Sequence, residues 1–377
     1  MGRPGKLIVG ILTSSRADYG IYLPLLRRLQ GESFFRTEII AFGTHLSERF
    51  GQTVDQIEAD GFSVAYRVDT MAKGDASIDI GRAMGKTMQA MAKIFERRRF
   101  DLLFSLGDRY EMFAAVAATA PFNIPVAHLH GGETTLGAID NSFRHSITTF
   151  SKLHFTSTEV YKNRVTEIIG TQEGVFNVGA LSIDNLKSIR LLDKQAFHKK
   201  YGLDLNRPTV LFTFHPETIG YAKNEKYIRE ITSSLNQLSN KYQIIVTMPN
   251  ADTMGLVVRE KLNEFGRNKP GVWLVESLGT LGYLSTMKHC AFMLGNTSSG
   301  FVEAAYFPKI VINLGDRQKG RIQTKNIISV EIKKRKILEA AEVAEKMKLP
   351  TGCNIYGDGN AAERIVEIIK KEFAKNG

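Results

Sequence analysis

Two α/β domains, each built on a parallel sheet with helices on both faces, are what this sequence predicts. Short apolar runs alternate with longer amphipathic stretches along the whole chain. Continuous apolar strands spaced by helices belong to parallel sheets covered on both sides. A length of 377 residues suits two domains at roughly 100–200 residues each. The hydrophobic fraction of 43% and charged fraction of 24% exclude collagen-like, low-complexity and disordered classes.

The first strand series is Leu7–Leu12, Thr37–Phe42, Leu102–Leu106, Val126–His130, His154–Ser157 and Val175–Val178. The second is Thr209–Phe214, Gln243–Met248, Val272–Val275, Ala291–Leu294 and Ile310–Asn313. Helical stretches between them include Tyr22–Gln30, Ser77–Arg98, Glu111–Ala120, Glu159–Ile169, Lys226–Ser239 and Gly279–His289. The polar, charged segment Asn185–Arg207 separates the two series, so the domain switch is expected near residue 185. The domains are expected over 1–184 plus 360–377, and over 185–359. The last helix, Asn360–Lys375, follows the turn Tyr356-Gly357-Asp358-Gly359 and either closes the second domain or crosses back to the first.

Two cysteines, Cys290 and Cys353, argue against a disulfide scaffold and a cysteine zinc site, and favour a reducing, cytoplasmic compartment. No apolar run approaches the ~20 residues that span a bilayer. Leu7–Leu12 runs into Thr13-Ser14-Ser15-Arg16, a strand and polar turn rather than a signal peptide. The net charge is +11. Its clusters, Arg97–Arg99 and Lys333–Lys336, are short, far apart and not interleaved with aromatic residues. That argues against nucleic acid and leaves an anionic small substrate open.

In an open parallel sheet, ligands bind outside the carboxyl ends of the strands. Here most strands run into chemically capable residues, which implies one cleft between the two domains. Leu102–Leu106 leads into Gly107-Asp108-Arg109, where the carboxylate is either a base beside a cation or a helix cap. His128 and His130 alternate, so on a strand they share a face, a spacing that can also hold a metal. The sequence lacks an HExxH pattern and nearby cysteines, so no metal is expected. Asp140 and Arg144-His145 lie one helical turn apart and present together, as site residues or as a capping network. Thr297-Ser298-Ser299-Gly300 precedes a helix expected near Phe301, either a phosphate-binding helix start or an ordinary cap. Arg16 and Arg317 each follow a strand and suit either phosphate contacts or surface salt bridges.

Taken in order, several stretches resemble one family. They are Ser15-Arg16-Ala17-Asp18-Tyr19-Gly20, Leu106-Gly107-Asp108-Arg109-Tyr110-Glu111, His130-Gly131-Gly132-Glu133 and Arg144-His145-Ser146-Ile147-Thr148. Phe214-His215-Pro216-Glu217-Thr218, Gly295-Asn296-Thr297-Ser298-Ser299-Gly300 and Gly315-Asp316-Arg317-Gln318-Lys319-Gly320-Arg321 continue the series. The chain resembles the hydrolysing UDP-N-acetylglucosamine 2-epimerases that begin bacterial sialic acid synthesis.

The resemblance implies two Rossmann-like domains facing across a cleft, a GT-B-like arrangement, with the C-terminal helix packed on the first domain. It implies conversion of UDP-N-acetylglucosamine and water to N-acetylmannosamine and UDP, through elimination to a glycal and rehydration. No cofactor or metal is implied, and the partners are the UDP-sugar and further copies of the chain, as a homodimer or homotetramer. Arg16, Thr297, Ser298 and Arg317 should hold the diphosphate and Glu303 the ribose, with Ser299 also a substrate-binding position. Glu133, His145 and Asn250 join these substrate-binding positions. Asp108, with Arg109 beside it, Asp140 and His215 fall at catalytic positions. Many members read His-Ile-Glu-Gly-Gly-Glu, whose first glutamate is a proposed acid/base. This chain reads His128-Leu129-His130-Gly131-Gly132-Glu133, so His130 stands there and takes that role. Three other readings compete. One is a relative acting on nucleotide-linked 2,4-diacetamido-2,4,6-trideoxyglucose, as in legionaminic acid synthesis. The others are a glycosyltransferase of the same fold and a non-catalytic nucleotide-sugar sensor.

Overall fold

The computed structural model describes residues 6–219, 221–249, 255–349 and 351–374. The chain divides into two compact units. One runs to Glu133, resumes over Asp140–Ser188 and resumes again from Ile355. The other takes Thr134–Ile139 and Ile189–Asn354.

The first unit is a seven-stranded parallel sheet. Its strands are β1 (Leu7–Thr13), β2 (Phe35–Phe42), β3 (Val64–Val68), β4 (Leu102–Leu106), β5 (Val126–Leu129), β6 (Leu153–Thr156) and β7 (Val175–Asn177). Their order is β3-β2-β1-β4-β5-β6-β7. Side chains alternate between two cores, as a pleated strand requires. Val9, Ile11, Leu102 and Phe104 face one core, while Leu12 and Leu103 face the other. The first core is closed by the helices Arg16–Gln30 and Ala361–Ala374. The chain's last helix therefore does return to the first unit.

The second unit is a six-stranded parallel sheet of β8 (Thr209–Thr213), β9 (Gln243–Thr247), β10 (Val272–Val275), β11 (Phe292–Gly295), β12 (Val311–Leu314) and β13 (Ile327–Val330). Their order is β10-β9-β8-β11-β12-β13. Val210, Phe212 and Phe214 meet Ile228, Ile231 and Leu235 of the helix Asn224–Leu238 in its main core. Among the described residues, no helix is long and apolar enough to cross a membrane.

Both sheets reverse direction beside their first strand, between β1 and β4 and between β8 and β11. Such switch points leave a crevice where the loops at the strand ends diverge.

Four differences from the sequence expectations have physical causes. The first helix starts at Arg16 rather than Tyr22, because Ser15 and Asp18 form a capping box that fixes its first turn. Arg16 therefore lies in a helix, not a loop. Strands β3 and β13 have no counterpart among the expected runs. Both are sheet edges with partly exposed, mixed side chains, so neither reads as a buried apolar run. The linker region near residue 185 is largely helical, with Leu181–Ser188 and Lys194–Tyr201 anchored by Ile183, Leu186 and Phe197. The helix expected near Phe301 is a 3-10 turn, Ser298–Gly300, followed by the four-residue helix Glu303–Tyr306.

The returning helix is held by a cap distant in sequence. Asp184 accepts hydrogen bonds from the backbone N–H groups of Ala361 (3.0 Å) and Ala362 (2.8 Å), the first two residues of that helix. An uncapped helix start leaves such donors unsatisfied. Asp184→Ala is therefore expected to lower stability by about 1–2 kcal/mol. The midpoint of urea unfolding, followed by circular dichroism, measures this loss.

Candidate active site

In the first unit, a buried guanidinium gathers the chemically capable residues. Arg144, on the helix Asp140–Phe150, is 3% exposed. Its Nη1 donates to the backbone carbonyl of His130 at 2.8 Å and lies 3.6 Å from Glu133 Oε2. Its Nη2 donates to the carboxylate of Asp108. Asp108 reaches it from the loop after β4. The cation beside Asp108 is thus Arg144 and not its sequence neighbour. The guanidinium of Arg109 grips Glu111 instead, with Nε and Nη2 donating at 3.2 and 3.0 Å. Arg109 also sits near Asp18, and burial pushes the carboxyls of both Asp18 and Glu111 up while Arg109 pulls them down. Asp18 is further engaged by Ser14 and Ser15 at the start of the helix that carries Arg16.

His130 follows the last residue of β5 and has φ +62°, in the left-handed region. Its N–H donates to Phe155 O at 3.0 Å. Its Nδ1 lies 2.8 Å from Glu133 Oε1, which also accepts from Ser157 Oγ at 3.1 Å. Its Nε2 is buried with no hydrogen-bond partner among the described residues. The turn that brings Glu133 back to His130 passes through Gly132, at φ +77°, where a Cβ would meet Tyr161 O at 2.3 Å. Only glycine fits there.

His128 does not share a role with His130. Because His130 lies past the strand end in a left-handed conformation, strand alternation does not carry to it. The His128 ring is tied inward, with Nε2 2.9 Å from Gly107 O and Nδ1 3.2 Å from Thr148 Oγ1. Asp140 opens the helix that carries Arg144, and His145 on that helix is half-buried. Burial, then Arg144 and Arg164, pull its imidazole pKa down.

In the second unit, the loops after β8, β11 and β12 are laced together. The Asn296 side chain accepts from His215 N at 2.7 Å and donates to His215 O at 2.8 Å. Arg317 Nη1 donates to Pro216 O at 2.7 Å. The Glu217 carboxylate accepts from Asp316 N at 2.8 Å, and burial pushes its pKa up. Gln318 donates to Asn296 O at 2.7 Å. His215 and Arg317 are therefore brought together. Gly295 permits this approach at φ +141°, where a Cβ would lie 1.8 Å from Thr213 O. Thr297 caps the 3-10 turn, and Ser299 Oγ lies 2.5 Å from Tyr283 OH. Glu303 opens the next short helix. Asn250 lies outside the described residues.

The sequence singled out Arg144 only as a neighbour of Asp140 and His145, and gave no role to Ser157, Asn296 or Gln318. All but Ser157 sit inside the stretches that carried the resemblance. Their partners are far away in sequence, so spacing alone does not expose them.

Two buried histidines give this region a pH signature. Burial lowers His128 to about 3 and its β6 neighbour His154 to about 4, from an ordinary 6.5. For a lowered group the stability is fully present above the unfolded pKa. It is lost as pH falls from there towards the folded value, because the unfolded chain takes up the proton first. His154→Phe should therefore lose less stability than the parent between pH 7.5 and 5.5, by about 1 kcal/mol. Urea unfolding at the two pH values reads this difference.

Comparison with known proteins agrees with the fold and the family. The sequence pattern of the family described as UDP-N-acetylglucosamine 2-epimerase matches residues 27–370. The chain is 37% identical to a GDP/UDP-N,N'-diacetylbacillosamine 2-epimerase (hydrolyzing) of Campylobacter jejuni, over 87% of this chain and 85% of the relative. It is 34% identical to polysialic acid biosynthesis protein P7 of Escherichia coli, over 97% and 94%. The crystal structure of the Neisseria meningitidis UDP-GlcNAc 2-epimerase bound to UDP-GlcNAc shares the fold, with a TM-score of 0.79 and 20% identity over 97% of this chain and 100% of that one. With the motifs in this order and the pattern matched over most of its length, the chain belongs to the UDP-N-acetylglucosamine 2-epimerase family.

Proposed function

We propose that this protein is a hydrolysing 2-epimerase that converts UDP-N-acetylglucosamine and water to N-acetylmannosamine and UDP. The observation that carries the reading is the His130 imidazole. It is buried, anchored through Nδ1 and unpartnered at Nε2 among the described residues, and Arg144 joins it to Asp108.

The reaction requires a proton to leave C2 while UDP leaves C1 with the bonding pair. The resulting glycal takes a proton at C2 on the opposite face, and water adds its hydroxyl at C1. That chemistry needs a base, an acid on the other face, and cations for the departing diphosphate. His130 Nε2 and the Asp108 carboxylate supply the acid and base, with Asp140 and His215 as further catalytic groups. Arg16, Arg317 and the hydroxyls of Thr297, Ser298 and Ser299 supply the diphosphate contacts. The 3-10 turn makes hydroxyls and guanidinium groups, rather than a helix dipole, the source of that binding. Glu303 is assigned to the ribose hydroxyls.

A second reading has support from the relatives. Two of them, 37% and 33% identical, are named as hydrolysing N,N'-diacetylbacillosamine 2-epimerases. Their sugar differs from N-acetylglucosamine at C4 and C6 but undergoes the same chemistry at C2.

Incubation with UDP-N-acetylglucosamine in deuterated water tests the class. Deuterium at C2 of free N-acetylmannosamine is expected, and retention of hydrogen there would exclude proton exchange. Running UDP-2,4-diacetamido-2,4,6-trideoxyglucose in parallel, with kcat/KM for each, separates the two substrates. In His130→Ala, turnover should fall about 10²–10⁴-fold while calorimetric UDP affinity is kept. Near-normal turnover would remove His130 from the mechanism.

A further inference from the structure

We infer that Glu133 is the positioning residue of His130: it holds the ring as the Nδ1–H tautomer and so leaves Nε2 as the nitrogen that exchanges the proton. This rests on the role proposed above for His130 and departs from the substrate-binding role that the resemblance gives Glu133.

The hydrogen-bond inventory dictates the tautomer. Glu133 is 3% exposed, and three donor groups converge on its carboxylate. Ser157 Oγ donates to Oε1 at 3.1 Å, Arg144 Nη1 lies 3.6 Å from Oε2, and His130 Nδ1 lies 2.8 Å from Oε1. A carboxylate surrounded by donors is an acceptor, so the proton at this contact belongs to Nδ1. In neutral imidazole the other nitrogen then carries the lone pair. That nitrogen, Nε2, is buried and makes no hydrogen bond among the described residues. An unpaired polar atom in such a place costs free energy unless a ligand uses it.

The backbone repeats the constraint. His130 is held at φ +62° by two main-chain hydrogen bonds, its N–H to Phe155 O and its carbonyl to Arg144 Nη1. A non-glycine residue in that region persists only where its surroundings over-determine it. Arg144 thus touches both the His130 backbone and the carboxylate that grips its ring. Ring and main chain are fixed by one set of groups, and a ring so fixed offers one nitrogen in one direction.

The experiment combines the parent enzyme, Glu133→Gln and Ser157→Ala. Histidine-labelled protein is examined by 15N NMR at about pH 8, where imidazole is ordinarily neutral. His130→Ala assigns the resonances. The parent should show His130 protonated at Nδ1 and bare at Nε2. Glu133→Gln, whose amide can donate to Nδ1, should shift His130 towards the Nε2–H form. It should also lower kcat by at least about 100-fold, with KM and UDP affinity unchanged. Ser157→Ala removes one donor without disturbing the Glu133–Arg144 pair, so it should keep the Nδ1–H tautomer and most of kcat. If Glu133→Gln does not fold, the parent's tautomer still decides. An Nε2–H ring in the parent, or a Glu133→Gln variant with parental kcat, would overturn the assignment. If the parent released no sugar, the epimerase reading would fail, while the NMR result would still settle who holds the ring.

Discussion

One buried cation organises the first unit's candidate site. Removing a guanidinium from water costs several kcal/mol, and the cost is recovered only where partners satisfy it. Arg144 finds them in the Asp108 carboxylate, the His130 carbonyl and, more distantly, the Glu133 carboxylate. The partners come from the loop after β4 and the loop after β5, and the cation from the helix Asp140–Phe150. Taking the cation away would leave Asp108 and Glu133 facing each other's charge with little solvent to screen it. The same side chain therefore sets the spacing of these residues and makes their proximity tolerable. Arg109 has a similar effect on Asp18 and Glu111, whose burial it offsets.

Sheet topology explains why the residues collect where they do. In each unit the chain lays its strands outward from the first strand, then crosses back and continues on the other side. The loops beside that reversal diverge from each other and leave their backbone ends unfilled by a helix. Asp108 and Ser14-Ser15, at the start of the first helix, occupy the reversal in the first sheet, and His215 and Asn296 occupy it in the second. Both units tie these loops with side-chain-to-backbone hydrogen bonds rather than apolar packing. Asn296 clasping His215 and Arg317 reaching Pro216 are examples. Such bonds fix a loop without filling the crevice.

The buried strands were legible in the sequence because covered parallel strands are apolar throughout. Leu102–Leu106 and Thr209–Thr213 are buried at every position. Strands β3 and β13 were not, because Tyr66 and Arg67 in one and Ser329 in the other interrupt the apolar run. Motif residues were legible as types, and their partnerships were not. Asp108 next to Arg109 suggested an ion pair, yet the chain turns after Gly107 and sends the two side chains to Arg144 and Glu111. His128 and His130 suggested a shared face, yet the left-handed φ at His130 breaks the alternation. The histidine misreading assumes that a strand's geometry extends past its end, and the other assumes that sequence neighbours pair. The two positive-φ positions involved, Gly107 and His130, lie just beyond β4 and β5.

The substitution that sets this chain apart from many family members changes what Glu133 can do. Where the motif reads His-Ile-Glu-Gly-Gly-Glu, two carboxyl groups lie three residues apart. Like charges held close raise one of the two pKa values, which suits a carboxyl group to serve as an acid near neutral pH. With His130 in the first position, the same glutamate becomes an attractive neighbour rather than a repulsive one. It selects which of the two ring nitrogens carries the proton. A carboxyl group has two equivalent oxygens and needs no such choice, whereas an imidazole does. The histidine at this position therefore sits beside a buried carboxylate that suits a ring, with Ser157 and Arg144 holding that carboxylate in place.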